Sequence, residues 1–236
     1  MSRTTPVKLC GSWGQDGGVQ FRAIAIAAFV DETVEVLLDR SAERQRVAID
    51  GAEALDPGAL AEALVAGLRG RGRVAIHVST DDFLLPASQR FEFGRDSPES
   101  FYSGWRDERG LIREVLAPAA PDGSGRVLPA LWRGDVDRSA RADYITLAGD
   151  AIVVVSGQFL LGGTLAFELA VHLECSYAAL VRQTPPDRAW TLPAYAQYAD
   201  EVAPATFAEV VLRMEDPRHP AVAIARDAVR PNDTKG

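Results

Sequence analysis

Residues 46–60 read Arg46-Val-Ala-Ile-Asp-Gly-Ala-Glu-Ala-Leu-Asp-Pro-Gly-Ala-Leu60. The first five residues form a short, mostly apolar run, which is typical of a buried strand. Residues 60–68 are rich in Ala and Leu and predict a helix. Gly51 marks the turn between the two. A strand, a glycine turn and a helix in this order are a building unit of α/β folds.

The turn also stands where phosphate-binding loops of the pattern Gly-x-x-x-x-Gly-Lys-[Ser/Thr] are found. Gly51 matches the first glycine and Glu53 lies inside the loop, but Asp56, Pro57 and Gly58 occupy the last three positions of the pattern. The lysine charge is missing, and proline has no N–H to offer an anion. Either Asp56 caps the helix with proline at its first position, or the loop is an altered phosphate site. The residue types favour the cap.

Other apolar runs alternate with helical segments along the chain. Residues 74–78, 151–155, 169–173 and 209–213 predict further buried strands, and residues 27–42 predict a helix after a short strand within 19–26. Continuous apolar strands that alternate with helices indicate a parallel sheet covered on both faces. We therefore expect an α/β fold, a three-layer doubly wound sheet of about five parallel strands with a lid insertion.

The domain organisation follows from composition. Residues 1–18 are glycine-rich and polar and predict a flexible lead, residues 19–223 a single domain, and residues 224–236 a tail. Within the domain, residues 96–144 are rich in Pro, Gly, Asp and Arg, and residues 184–204 carry several Pro, Trp and Tyr residues. We interpret them as substrate-covering or lid segments, because such loops lie where ligands bind in α/β sheets.

The overall charge narrows the function classes. The chain has 25 basic and 33 acidic residues, so its net charge of −8 disfavours a nucleic-acid partner. Its lysines are Lys8 and Lys235, one near each end. Two cysteines without metal or redox spacing and a start without a signal pattern predict a cytoplasmic protein that contacts no membrane. The three histidines show no ligand spacing, so no metal site is predicted.

Several segments, in order, resemble the uridine kinase and phosphoribulokinase-like branch of P-loop kinases. The strongest is Val78-Ser-Thr-Asp-Asp-Phe83, followed by Gly94-Arg-Asp-Ser-Pro-Glu-Ser-Phe-Tyr102, Leu128-Pro-Ala-Leu-Trp132, Val153-Val-Val-Ser-Gly-Gln-Phe-Leu-Leu161 and Met214-Glu-Asp-Pro-Arg-His-Pro-Ala-Val222. The resemblance covers about residues 46–222. It implies that Asp81 is the base that accepts the proton of the attacking hydroxyl, with Asp82 and Phe83 beside it.

Further residues are candidates for substrate binding. Arginines can pair with a phosphate or carboxylate, and aromatic rings can stack on a base; the alternatives are surface ion pairs and packing within the lid. The arginines are Arg90, Arg95 and Arg138, and the aromatic residues are Tyr102, Trp105 and Trp132. The family's arginine-rich lid is reduced here to a segment that contains Arg182 and Arg188.

The resemblance implies a nucleoside-like ligand with hydroxyl groups, and ATP and Mg²⁺ as cofactors. However, the loop lysine is absent, and Ser156 stands where the family has an acidic residue that positions magnesium. Three hypotheses remain open: a phosphotransferase in which Arg182 or Arg188 replaces the lysine, a non-catalytic nucleoside or metabolite binder, and different chemistry at Asp81, Asp82 and Glu53. A homodimer is compatible with each of them.

Overall fold

The computed structural model describes residues 20–40 and 43–224. The strands are β1 (Arg22–Ala23), β2 (Gln45–Gly51), β3 (Ala75–Ser79), β4 (Arg126–Val127), β5 (Trp132–Arg133), β6 (Arg138–Ser139), β7 (Ile145–Thr146), β8 (Ile152–Gly157), β9 (Leu169–Glu174), β10 (Val210–Arg213) and β11 (Ala221–Ile224). The helices are α1 (Ile26–Arg40), α2 (Pro57–Gly70), α3 (Ala87–Arg90), α4 (Pro98–Ser103), α5 (Glu108–Leu111), α6 (Ala117–Ala119), α7 (Tyr177–Gln183) and α8 (Leu192–Val202). A π-helical turn, Ile112–Leu116, joins α5 to α6.

One sheet contains seven of these strands in the order β1-β11-β10-β9-β2-β8-β3. Its five strands from β10 to β3 are all parallel, which confirms the predicted parallel sheet. Two antiparallel strands, β11 and β1, extend the β10 edge. The strand predicted within 19–26 shrinks to Arg22–Ala23, and β11 was not predicted. β1 and β11 are strands because they pair with each other, and neither is a long apolar run that the sequence would reveal.

The sheet is buried on both faces, because successive side chains of β2 point alternately into two different cores. Val47 and Ile49 face a core formed with α1, α2, α7 and α8. Ala48 faces a second core, to which the helical segment 108–119 and Val127 of β4 contribute. These two cores make the fold three-layered, as predicted. Gly67 lets α1 and α2 approach closely, since a Cβ there would lie 3.0 Å from Val34 Cγ2.

The segment 96–144 is less regular. It contains α4, the helical segment 108–119, the antiparallel ribbon β5–β6, and strand β4, which pairs with β7 just after the segment. The segment 184–204 contains a 3-10 helix, Pro186–Thr191, followed by α8. Their role as covers of a ligand stays a prediction.

Two predicted boundary segments fall largely beyond the described residues. Residues 1–18 lie outside them, and so do residues 225–236 of the tail. Within the described ranges, the helices are too short or too polar for any of them to cross a bilayer.

Candidate functional site

A cavity of about 460 Å³ opens at the carboxyl ends of β2, β3 and β8. The turns that follow these three strands supply Glu53, Asp81, Asp82 and Gln158 to it. Leu84 and residues of the segments 96–144 and 184–204 complete the wall; the latter are Phe101, Trp105, Arg106, Arg133, Gly134, Asp135 and Arg188. The carboxyl end of a parallel sheet is the usual position for a ligand site in such folds.

The two aspartates are held by a short 3-10 helix, Thr80–Phe83, directly after β3. Ser79 Oγ accepts a hydrogen bond from the Asp81 N–H at 3.2 Å and so caps this turn. Phe83 is 1% exposed and packs in the core, which anchors the turn from below. Burial raises the pKa of the Asp82 carboxyl, and the neighbouring negative charge of Asp81 raises that pKa further. Asp82 therefore holds a proton more readily than an ordinary aspartate does.

Most charges of the cavity are paired within it. Arg133 lies 2.7 Å from Asp135, and Arg188 lies 2.6 Å from Glu53. Among the described residues, neither Asp81 nor Asp82 has an ion-pair partner. Two carboxylates therefore remain available to a ligand.

Arg106 is also without an ion-pair partner among the described residues. Its guanidinium lies between the rings of Phe101 and Phe159, 5.1 Å from each ring centre. It donates hydrogen bonds to Gln158 Oε1 and, at 3.3 Å, to the Phe101 carbonyl, while its buried Nε–H has no acceptor in the described part of the chain. Burial lowers the pKa of Arg106. The stacked guanidinium is a fixed donor at the wall of the cavity.

Several N–H groups of the loop after β2 and of the first turn of α2 have acceptors within the protein. The N–H of Glu53 donates to Tyr195 Oη at 3.1 Å, and the N–H of Asp56 donates to the Glu53 carbonyl at 3.0 Å. Asp56 then caps α2, because its carboxylate accepts from the Ala59 N–H at 3.0 Å. These N–H groups are the ones that a phosphate-binding loop turns towards its anion. Here each of them already has an acceptor.

Gly51 has a packing explanation as well. A Cβ at this position would lie 2.8 Å from Leu173 Cβ on the neighbouring strand β9. The close approach of β2 and β9 is therefore enough to explain glycine at this position, and a role in phosphate binding is not needed. Gly58 lies in the first turn of α2, where a Cβ would meet nothing closer than 3.7 Å.

Only some predicted substrate-binding and lid residues reach the cavity. Trp105 and Arg188 line it together with the two aspartates and Glu53. The structure places Phe83 in the core instead, because its side chain fills the space below the turn that holds the aspartates. Tyr102 packs edge-on against Phe159, 5.0 Å between ring centres, behind the cavity wall.

The remaining predicted residues have structural contacts elsewhere. Arg90 is 6% exposed, donates to the Leu85 carbonyl at 2.7 Å and pairs with Asp137. Trp132 Nε1 donates to the same Asp137 carboxylate at 3.0 Å. Arg95 stacks over Phe91, Arg138 is exposed on β6, and Arg182 is exposed on α7. None of these five arginine and tryptophan side chains lines the cavity.

The cavity residues that escaped the sequence interpretation include three that can donate hydrogen bonds: Arg106, Arg133 and Gln158. In the β5–β6 ribbon, Arg133 is paired in register with Arg138, so the ribbon brings Arg133 to the cavity instead of the predicted arginine. The one hint in the sequence is that Arg106 directly follows Trp105, which was a candidate. Apart from this position, the sequence around Arg106 does not differ from that around the other arginines.

The described residues contain no group of three or more His, Cys, Asp or Glu side chains arranged to hold a metal ion. Ser156, at the position where the family carries an acid, is buried, and its Oγ lies 2.8 Å from His77 Nε2. Burial lowers the pKa of His77. The position is occupied by a neutral hydrogen-bonded pair in the sheet.

Solved structures resemble this one in fold. A possible uridine kinase from Bacillus stearothermophilus matches with a TM-score of 0.63 and 20% identity over 77% of this chain and 96% of its own. The YGR205w protein matches with a TM-score of 0.57 and 12% identity over 85% of this chain and 99% of its own. A candidate fructose transport system kinase from Silicibacter sp. TM1040 matches with a TM-score of 0.51 and 20% identity, over 77% and 92% of the two chains. No family model and no curated protein sequence matches the chain.

Proposed function

We propose that this protein, which has the fold of P-loop kinases, binds a hydroxylated small molecule of nucleoside size at Asp81 and Asp82 without holding ATP and Mg²⁺ in the loop after β2. One observation carries the proposal: protein side chains contact the loop after β2, while neither Asp81 nor Asp82 has an ion-pair partner among the described residues. Binding without phosphoryl transfer is the function that this combination supports best.

The acceptor side of the cavity suits hydroxyl groups. An ionised carboxylate accepts several hydrogen bonds, and the two adjacent aspartates can receive neighbouring hydroxyls of one ring. Phe101 and Trp105 supply an apolar wall against which a flat or ring-shaped molecule can pack. A volume of about 460 Å³ lies in the range of small-molecule sites.

The residues of the loop do not fit a magnesium-bound triphosphate. Asp56 brings a negative charge to the position of the phosphates, and two unit charges about 4 Å apart interact by about 4 kcal/mol at a surface-like dielectric. Glu53 adds a second carboxylate, which is paired with Arg188. Asp56 also occupies the Ala59 N–H that an anion would need. No lysine lies within residues 20–40 and 43–224 to offset these charges.

A second candidate function is phosphoryl transfer with a different mode of nucleotide binding. Its support is Arg188, which reaches the loop and contacts Glu53 at 2.6 Å, together with the raised pKa of Asp82. If Arg188 exchanged Glu53 for a phosphate, it would supply the charge of the missing lysine. A cytoplasmic location and a homodimer remain predictions under either function.

Calorimetric titration separates the two. The purified protein is titrated with ATP plus Mg²⁺, and separately with uridine, cytidine, adenosine and ribose. We expect no heat with millimolar ATP and a saturable signal with at least one hydroxylated ligand. A micromolar, magnesium-dependent ATP signal would establish the second candidate and overturn the proposed function.

The Asp81→Asn/Asp82→Asn double variant tests the assigned site. We expect it to lose ligand binding at least tenfold, whereas Asp187→Asn, an exposed aspartate outside the cavity, binds normally. Unchanged binding by the double variant would place the ligand elsewhere.

A further inference from the structure

A second cavity of about 310 Å³ lies on the other side of an aromatic wall from the first. Phe159 and Tyr195 form part of this wall, with 5.3 Å between their ring centres. The cavity reaches the carboxyl ends of β2 and β9 and is closed by α8 and the turn Pro204–Thr206. Its lining is mostly carbon, and no lysine or arginine of the described chain contributes to it.

A buried acid–imidazole pair stands at the edge of this cavity. Asp50 is fully buried in the centre of the sheet, and its Oδ2 lies 2.7 Å from His172 Nδ1 on β9. The same carboxylate accepts the Leu160 N–H at 2.9 Å and the Tyr198 hydroxyl at 3.2 Å. Burial, and then the charge of Asp50, raise the pKa of Tyr198, which keeps that hydroxyl protonated as a donor.

Such a pair is costly in the middle of a parallel sheet. Replacing buried charged groups by well-packed apolar residues is often neutral or stabilising, so stability alone does not explain the pair. Asp50 does, however, fix the imidazole. Asp50 accepts a hydrogen bond from the Nδ1–H of the imidazole, and in that tautomer Nε2, on the opposite edge of the ring, carries the lone pair.

His172 Nε2 reaches the space of the second cavity. His172 is 9% exposed and lines this cavity, while Asp50 lies behind it. Among the described residues, His172 Nε2 has no hydrogen-bond partner. The atom is not fully buried, so a ligand in the cavity can reach it. An oriented acceptor therefore faces an otherwise apolar space.

We propose that the second cavity binds a small, uncharged, mostly apolar molecule that donates one N–H or O–H hydrogen bond to His172 Nε2. The lining offers an anion no cationic partner, because no lysine or arginine of the described residues contributes to it and its one carboxylate, Glu174, is already paired with Arg213 at 3.1 Å. The size suits a one- or two-ring molecule. This site is independent of the hydroxylated ligand proposed for the first cavity.

Indole and its isostere indene, which lacks the N–H, are the probes. The protein is labelled with ¹⁵N in the histidine rings, of which the chain has three. We expect indole to shift the His172 Nε2 resonance saturably and to bind about three- to tenfold more tightly than indene by calorimetry. An unmoved resonance, or equal affinity for the two probes, would overturn the proposal.

Two variants on α8 supply the matched control. Ala199 is exposed at the rim of the cavity, so Ala199→Trp places an indole ring at its opening, whereas Gln197 is exposed on the same helix outside the cavity. We expect indole binding to be lost in Ala199→Trp and retained in Gln197→Trp. Retained binding in Ala199→Trp would place indole at another site and overturn the proposal.

Discussion

Arg188 Nη2 lies 2.6 Å from Glu53 Oε2, so an arginine of the second lid segment neutralises an acid of the loop after β2. The guanidinium also lies 5.2 Å over the Trp190 ring. The charge that could have met a phosphate is thus engaged by the protein itself. Breaking the Arg188–Glu53 ion pair tests the effect of the Glu53 charge on ATP binding separately from the effect of the hydrogen-bonded N–H groups of the loop.

Glu53→Gln frees Arg188 but leaves the loop N–H groups bonded. We expect no calorimetric ATP signal in this variant, because Asp56 still occupies the Ala59 N–H. We also expect the free energy of unfolding to change by less than about 1 kcal/mol, since the pair is partly exposed. An ATP signal in Glu53→Gln but not in the wild type would show that charge alone blocks the nucleotide.

Asp56 combines a cap with an unusual backbone conformation, φ 52°. Asp56→Ala loses the hydrogen bond to Ala59 and places a residue without local hydrogen bonding in the left-handed region, so we expect a loss of about 1–3 kcal/mol in unfolding free energy. Asp56→Gly loses the cap but relieves the backbone, and should cost less. Denaturant unfolding measures both. Equal losses would show that the backbone conformation contributes nothing.

The raised pKa of Asp82 makes stability depend on pH. The folded state binds a proton that the unfolded state has released, so stability falls as pH rises from the ordinary aspartate pKa to the raised one. Asp82→Asn removes this penalty. We expect the variant to be more stable than the wild type at neutral pH, with the difference vanishing below about pH 3.5.

Asp81→Asn is the comparison for that measurement. It removes the neighbouring negative charge, which is the smaller cause of the shift, and keeps the buried carboxyl. A stabilisation in the same direction but smaller is expected in urea unfolding at neutral pH. A destabilised Asp82→Asn would contradict the assigned cause of the pKa shift.

Gly157 ends β8 beside the turn that carries the aspartates. A Cβ there would lie 2.8 Å from Thr80 Cβ, closer than real side chains approach. We expect Gly157→Ala to lower the unfolding free energy by about 2–3 kcal/mol and to weaken ligand binding, because the turn must shift. Gly149→Ala, where a Cβ meets nothing within 4 Å, is the matched control. Similar stability of the two variants would mean that the turn is not rigid.

The sheet was predictable because its strands are continuous apolar runs. The five parallel strands appear at the predicted places, with ends shifted by one or two residues, since strand ends are set by pairing and not by composition. Helix α2 begins at Pro57, three residues before the predicted apolar stretch, and Asp56 was the signal that marked this start. The edge pair of β1 and β11 is too short to leave a pattern.

The site was less predictable, because it depends on contacts distant in sequence. Asp81 and Asp82 could be found from the strand end before them. Arg106 and Gln158, which are 52 residues apart, meet only after the lid segment folds over the sheet. Asp50 and His172 are 122 residues apart and join only through the neighbouring positions of β2 and β9.

The closed loop after β2 has a consequence for the stability of the protein. Ligands that bind only the native state raise its population by mass action. In this chain α2 is capped by Asp56, and the turn before it is closed by Tyr195, before any nucleotide arrives. The loop and the start of α2 therefore fold without waiting for a nucleotide, and adding ATP should leave the free energy of unfolding unchanged.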